Sequence, residues 1–262
     1  MTRKRLPGSV VGMLALLGAI TLFSTIEVAS KAIQHDGIQI DPFMMVFVRF
    51  FLTGVSLIGL GSSLRGTRGR TYTARDYGVF LTNGVIGITL GISLFHVAIL
   101  AFRNASSSAV VFSANPVFVV LLSPIVNGER MTFRKVLSVV IGACGISLFA
   151  MESGGIAKES VLGMAIMAAS AVCFATSICI SRRVISRYGA IVLMGYSALF
   201  GSLLVLPVGL WRSGMDGLTA LLGAWRTVLY LSLVGTALAY GLYYYGRSEE
   251  HTSELQSPNT KS

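Results

Sequence analysis

Few residues in this sequence can do chemistry, and those few stand inside long apolar runs. Glu27 and Lys31 are four residues apart, the order and spacing that favour an ion pair along one helix face. In one reading Lys31 snorkels outward and holds Glu27 at the interface; in the other Glu27 binds a cationic group or a proton. Arg49 lies seven residues beyond Pro42, roughly 10 Å into a helix at the α-helical rise. Glu27 stands at a similar depth, so a Glu27–Arg49 contact is expected. Arg49 would then either neutralise that carboxylate or receive a substrate carboxylate, a snorkelling or packing arginine being the alternative. Asn83 and His96 flank Gly84, Gly87 and Gly91. His96 can relay protons or satisfy a neighbouring helix, and the Gly87–Gly91 pair is a GxxxG that marks close helix packing. At Asn115-Pro116 the proline breaks the backbone ladder and frees carbonyls that must face protein or a cavity. Asn115 is thus either a structural hydrogen-bonding group or a lining residue. Thr236 and Tyr240 share a helix face four residues apart, whereas Tyr243, Tyr244 and Tyr245 read as an interfacial belt.

The elements that must position these residues are membrane helices. Of 262 residues 53% are hydrophobic and 12% charged, about half the ~25% charge of a soluble domain. The 29 glycines suit closely packed membrane helices, and disorder, collagen and a small secreted scaffold are excluded. Eight runs are long enough to span, near residues 9–30, 43–61, 77–102, 105–126, 136–151, 161–181, 190–211 and 225–246. The run 136–151 is short and must recruit flanking residues. Pro207 reads as a kink near the outer end of the seventh run. The fold class is therefore all-α and polytopic.

The net charge of +10 sits in the gaps between runs, which points to membrane lipids and topology and away from nucleic acid. With the N-terminus in the cytoplasm, thirteen basic residues fall on the inner side, among them Arg65, Arg75, Arg130, Lys135, Arg182 and Arg187. Five fall outside, Lys31, Arg103, Lys158, Arg212 and Arg226, so the positive-inside rule places the N-terminus inside. The first run is too long for a signal-peptide core and reads as a retained anchor. Cys144, Cys173 and Cys179 form no CxxC pair, so neither disulfide nor metal is expected. No phosphate loop, nucleophile turn or metal cluster appears; no cofactor is implied and an enzyme is disfavoured.

Shifted by 151 residues, the stretch from Val11 meets the stretch from Leu162, pairing Gly12/Gly163, Phe23/Phe174, Thr25/Thr176 and Ser30/Ser181. A shift of 148 pairs Gly87/Gly235, Leu90/Leu238 and Phe95/Tyr243. A unit of five spans, duplicated, must enter the membrane from opposite faces, a construction recurrent in secondary transporters. The order of FSTIEVASKAI, DPFMMVFVRFFLTG, NPVFVVLLSPIVNGERMT, RKVLSVVIGACGISLF and LVGTALAYGLYYYG resembles the EamA family of the drug/metabolite transporter superfamily. That resemblance implies ten helices in two inverted repeats, a bacterial or archaeal inner membrane, and export of small metabolites such as amino acids without ATP hydrolysis. It also places the Asn115 helix along the substrate path.

Residues 1–152 would be the first five-helix repeat and 161–246 a partial second. The composition breaks after Gly246, and RSEEHTSELQS looks like the in-frame translation of a sequencing adapter, so 247–262 is expected to be a non-native tail. A chain without the last two helices is expected to be inactive and poorly stable. The expected substrate-binding set is Glu27, Arg49, Asn83, His96, Asn115, Thr236 and Tyr240. A non-transporting scaffold or assembly subunit is the alternative, favoured if these residues face separate interfaces, and a homodimer is left open.

Overall fold

The computed structural model describes residues 8–35, 40–63, 71–102, 105–152, 161–243 and 245–246. Every regular element among them is helical. The order is α1 (Gly8–His35), α2 (Pro42–Ser63), α3 (Ala74–Gly84), a π-helical segment π1 (Val85–Ile92), α4 (Ser93–Ala101), α5 (Ala105–Phe112) and α6 (Asn115–Asn127). It continues with α7 (Phe133–Glu152), α8 (Val161–Tyr188), α9 (Ala190–Ser213), α10 (Asp216–Gly223), α11 (Trp225–Leu229) and a second π segment, π2 (Tyr230–Leu238).

Six helices among the described residues are long and apolar enough to cross a membrane: Val10–Ser30, Pro42–Ser62, Ala74–Ala101, Val110–Asn127, Val161–Tyr188 and Ala190–Ser213. Asp216–Gly223 and Trp225–Tyr243, bent by 88°, make a seventh if counted as one span. The chain is a polytopic all-α membrane protein. The short run expected at 136–151 does recruit its flanks, forming α7 at Phe133–Glu152, yet it is not among those six. The run expected at 105–126 is divided by a turn at Ser113–Ala114. Pro116 cannot bond back to Phe112 and its ring crowds that carbonyl, so it takes the first turn of a new helix instead. The last run begins at α11, after the sharp bend from α10, and passes through π2.

At the centre α2 packs along α9. Their approach depends on glycine: a Cβ at Gly54 would lie 2.7 Å from Leu199 N and 3.0 Å from Gly195 O. Around this pair the packing crosses between the two parts of the chain. The continuous course α3–π1–α4 lies against α8 and α9, while π2 lies against α1 and α2, and α6 covers α8. The GxxxG glycines of π1 face α8, where Ser170 Oγ donates to Gly91 O at 2.7 Å, the close packing expected of them. α7 touches α6 and α5 and leaves Phe133, Ile141 and Leu148 exposed, the apolar surface that lipid covers.

Both ends are tied by carboxylates. Asp41 Oδ1 accepts from Phe43 N and Met44 N at the start of α2, and its Oδ2 from Arg212 Nε at the end of α9 (3.0 Å). At the opposite end α8 turns into α9 through the single residue Gly189, whose φ of 80° suits glycine. There Asp76, at the start of α3, is 4% exposed. Its carboxylate accepts from Tyr188 Oη (2.6 Å), Arg187 Nη2 (2.8 Å), Thr73 N (2.8 Å) and Thr73 Oγ1 (2.8 Å). Rings of Tyr72, Tyr77, Phe80, Tyr188, Tyr196 and Phe200 close over this end, with Phe80 and Tyr196 stacked at 5.2 Å.

Between α6 and α7, Lys135 Nζ pairs with Glu129 Oε2 at 2.6 Å, and its hydrogen bond holds the Glu129 carboxyl below the ordinary carboxylate range. The folded state thus releases this proton more readily than the unfolded one. Its contribution is present above the ordinary carboxylate pKa and lost as pH falls through the depressed value. Both side chains are about one-third exposed, so screening limits the effect to at most about 1 kcal/mol. Lys135→Met should shrink this acid-side step in a thermal-stability profile against pH, the Arg182 charge still favouring the ionised carboxylate.

Candidate functional site

Arg49 is 3% exposed and sits where three membrane segments meet. Its Nε donates to Thr236 Oγ1 of π2 at 2.8 Å, and its Nη1 lies 3.2 Å from His96 Nε2 of α4. A guanidinium has no acceptor, so Nε2 of His96 is the acceptor and the ring is placed to hold the arginine. Thr236 Oγ1 in turn donates to Leu231 O, five residues back and 2.6 Å away, which matches the wider turn of a π segment. The Phe50 ring lies 5.1 Å from Arg49 Cζ. One turn along α2, Thr53 Oγ1 lies 2.8 Å from Arg49 O and 2.9 Å from Ser232 O, fixing π2 against α2. Arg49, His96 and Thr236 therefore come together as a desolvated, hydrogen-bonded cation. Tyr240, one turn beyond Thr236, is half-buried and meets Phe23 of α1 edge-on at 5.0 Å.

The other expected residues are placed differently. Asn83 forms its own node: Nδ2 donates to Ser197 Oγ (3.1 Å), and Oδ1 accepts from Ser177 Oγ (2.9 Å) and Ser181 Oγ (3.2 Å). It lies thirteen residues before His96 on the same course, on the order of 20 Å away at helical rise. Asn115 begins α6, and its Oδ1 is buried without a protein partner. The side chains of Glu27 and Lys31, and with them the expected contact to Arg49, lie outside the described residues. Tyr243, expected in an interfacial belt, is half-buried and approaches Phe23 at 6.5 Å.

Sequence reasoning passed over several groups that this geometry brings forward. Thr53 and Ser232 are two hydroxyls inside apolar helices. Ser93 Oγ, one turn before His96, and Ser30 Oγ on α1 are buried without protein partners. Asp76 and Tyr188 stand at helix ends, where charge and aromatic rings are common; only the depth of Asp76 marks it. Among the described residues no group of His, Cys, Asp and Glu is arranged to hold a metal, and the chemistry on offer is recognition by charge and hydrogen bonding.

The chain is thus a bundle of membrane helices that buries a hydrogen-bonded guanidinium between its packed segments. The chain matches the EamA-like transporter family over residues 10–151 and again over residues 161–256, and it belongs to that family. It is similar to an uncharacterized transporter of Clostridium kluyveri, 24% identical over 94% of this chain and 79% of the relative. The uncharacterized transporter YetK of Bacillus subtilis is 23% identical over 88% of this chain and 70% of its own length. An uncharacterized transporter of Archaeoglobus fulgidus is 26% identical over 61% of this chain, which spans 57% of it. A protein crystal structure shares the fold with a TM-score of 0.60 at 22% identity, covering 93% of this chain and 79% of that one.

Proposed function

We propose that this chain is a secondary transporter that exports small metabolites such as amino acids across the inner membrane by alternating access, with its N-terminus in the cytoplasm. The observation that carries this reading is Arg49, 3% exposed and held by His96 and Thr236 from two other segments. A buried, oriented guanidinium is matched to a carboxylate, which it can meet with two parallel hydrogen bonds. Glu27 is the group proposed for the amine or a coupled proton, with Tyr240 and Asn115 as lining residues and Asn83 as a more distant member. The crossed packing of π1 on α8 and α9, and of π2 on α1 and α2, supports two inverted units, which we take as 1–152 and 161–246.

Binding to the folded state raises thermal stability by mass action. Amino acids with a free carboxylate should raise the melting temperature of the detergent-solubilised protein saturably, and the matching amides should not. Equal shifts with acid and amide would overturn the carboxylate assignment. No shift across a panel of amino and hydroxy acids would favour a scaffold.

A further inference from the structure

Two glycines that correspond under the internal repeat make the same contact at two different distances. Gly87 of π1 faces Ser177 of α8, and Gly235 of π2 faces Ile26 of α1. Gly235 follows Gly87 by 148 residues and Ser177 follows Ile26 by 151, the two shifts that relate the halves, so one contact is the image of the other. A Cβ at Gly87 would lie 2.5 Å from Ser177 Oγ and 2.9 Å from its Cβ, whereas one at Gly235 would find its nearest atom, Ile26 Cγ1, at 3.6 Å. The first interface admits no added atom without movement; the second accepts a methyl at ordinary contact distance.

Hydrogen bonds tie the tight interface at three levels, whereas across the π2–α1 interface Thr25 Oγ1 and Tyr230 Oη meet at 2.8 Å. From its end inward, α3 and π1 are tied to α8 and α9 at Asp76 (Tyr188 and Arg187), at Asn83 (Ser177, Ser181 and Ser197) and at Gly91 O (Ser170). The aromatic rings around Phe80 cap the same end. The central contacts have images too: Thr53 against Ser232 corresponds to Gly201 against Gly84, each related by 148 residues. Both central contacts are close, and α1 also meets the end of the last helix closely, where a Cβ at Gly246 would lie 2.6 Å from Gly12 O; the two halves differ at Gly87 and Gly235.

We infer that the interface of α3 and π1 with α8 is the shut member of a pair of gates, its image between π2 and α1 being the relaxed member, and that Asp76 and Asn83 are the positioning residues that hold the shut gate. This rests on the transporter reading above. In the opposite state Gly235 closes onto Ile26, Gly87 parts from Ser177, and the bonds of Asp76 to Tyr188 and of Asn83 to Ser177 and Ser181 open. α2 and α9 stay joined and act as the fulcrum. The shut gate lies at the Asp76 end, the cytoplasmic end in the proposed orientation.

The test is accessibility of a reporter thiol in this chain, with Cys144, Cys173 and Cys179 replaced by serine and Val184→Cys introduced, a half-buried position of α8 packed against the cluster of Phe80 and Tyr188 and outside the hydrogen bonds that hold the gate. A membrane-impermeant maleimide is applied to vesicles of either orientation. The reporter should react slowly from both sides in the parent. Asp76→Asn combined with Asn83→Ala should raise the rate at least tenfold from the Asp76 side alone, and so should Gly87→Ala, while Gly235→Ala leaves it unchanged. Ser197→Ala, which removes a single bond to Asn83, should give a smaller one-sided rise and decides the matter if the stronger variants fail to fold. Equal effects of Gly87→Ala and Gly235→Ala, equal rises from both sides, or no rise in a well-folded Ser197→Ala overturn the inference. The readout needs no substrate. A one-sided rise in a protein that binds no carboxylate removes the transporter reading and leaves the two-state gate, whereas carboxylate binding without the rise removes the gate alone.

Discussion

Arg49→Gln should abolish the carboxylate-dependent rise in melting temperature and weaken binding of a carboxylated ligand roughly 10- to 150-fold. That range is the affinity equivalent of one charge-assisted hydrogen bond, about 1.5 to 3 kcal/mol. The effect is large because Arg49 is buried and its Nε and Nη1 are already oriented by Thr236 and His96, so little ordering is left for the ligand to impose. Arg49→Lys keeps the charge but loses the planar fork, and should recover only part of the affinity. The measurement is a ligand titration followed by thermal melting, with membrane level and monodispersity compared first. Unchanged affinity in the glutamine variant would move the ligand elsewhere and leave Arg49 a packing residue.

How much of this site could be read beforehand depended on which physical signal each residue carried. An arginine sixteen residues from the next charge on its C-terminal side, Arg65, stands out at once, and so do His96 and Asn83. Their partners do not. That Arg49 meets Thr236 across 187 residues follows from π2 lying on α2, and neither hydropathy nor spacing encodes which helix faces which. The serines around Asn83 were invisible for a related reason: Ser177, Ser181 and Ser197 look like the small residues any membrane helix uses for close approach. Asp76 was hidden by position, since a carboxylate at a helix start is ordinarily a solvated cap, and its burial is produced by Tyr188 and the rings above it. The break before Asn115 was legible in kind, because proline chemistry is local; that the chain makes a turn at Ser113–Ala114 and still continues as one span, Val110–Asn127, was not.

Gly84→Ala should cost more stability than any other single methyl added to the α3–π1 course. A Cβ there would fall on the carbonyl oxygen of Ser197 and lie 3.0 Å from Gly201 N. Both are backbone atoms in the middle of α9, so no side chain can rotate away, and the helices must separate. Separation stretches the bonds that cross the same seam, Asn83 to Ser197 (3.1 Å) and Thr89 Oγ1 to Gly201 O (2.9 Å). Overpacking a rigid site costs about 1 to 3 kcal/mol, with the upper end expected here, or on the order of 10 °C in melting temperature for a chain of this size. Gly78→Ala is the internal control: it lies on the same helix with nothing within 4 Å of its added Cβ, and relief of glycine's backbone entropy should leave it neutral or slightly stabilised. Because Gly84 faces the fulcrum and Gly87 the gate, the two glycines should separate by readout. Gly84→Ala lowers the melting temperature most, while Gly87→Ala, whose clash is with Oγ and Cβ of Ser177 and not with backbone, costs less stability and acts on the reporter thiol. Similar melting temperatures for Gly84→Ala and Gly78→Ala would mean that α3 and α9 are not in backbone contact, and the division into fulcrum and gate would fall with that contact.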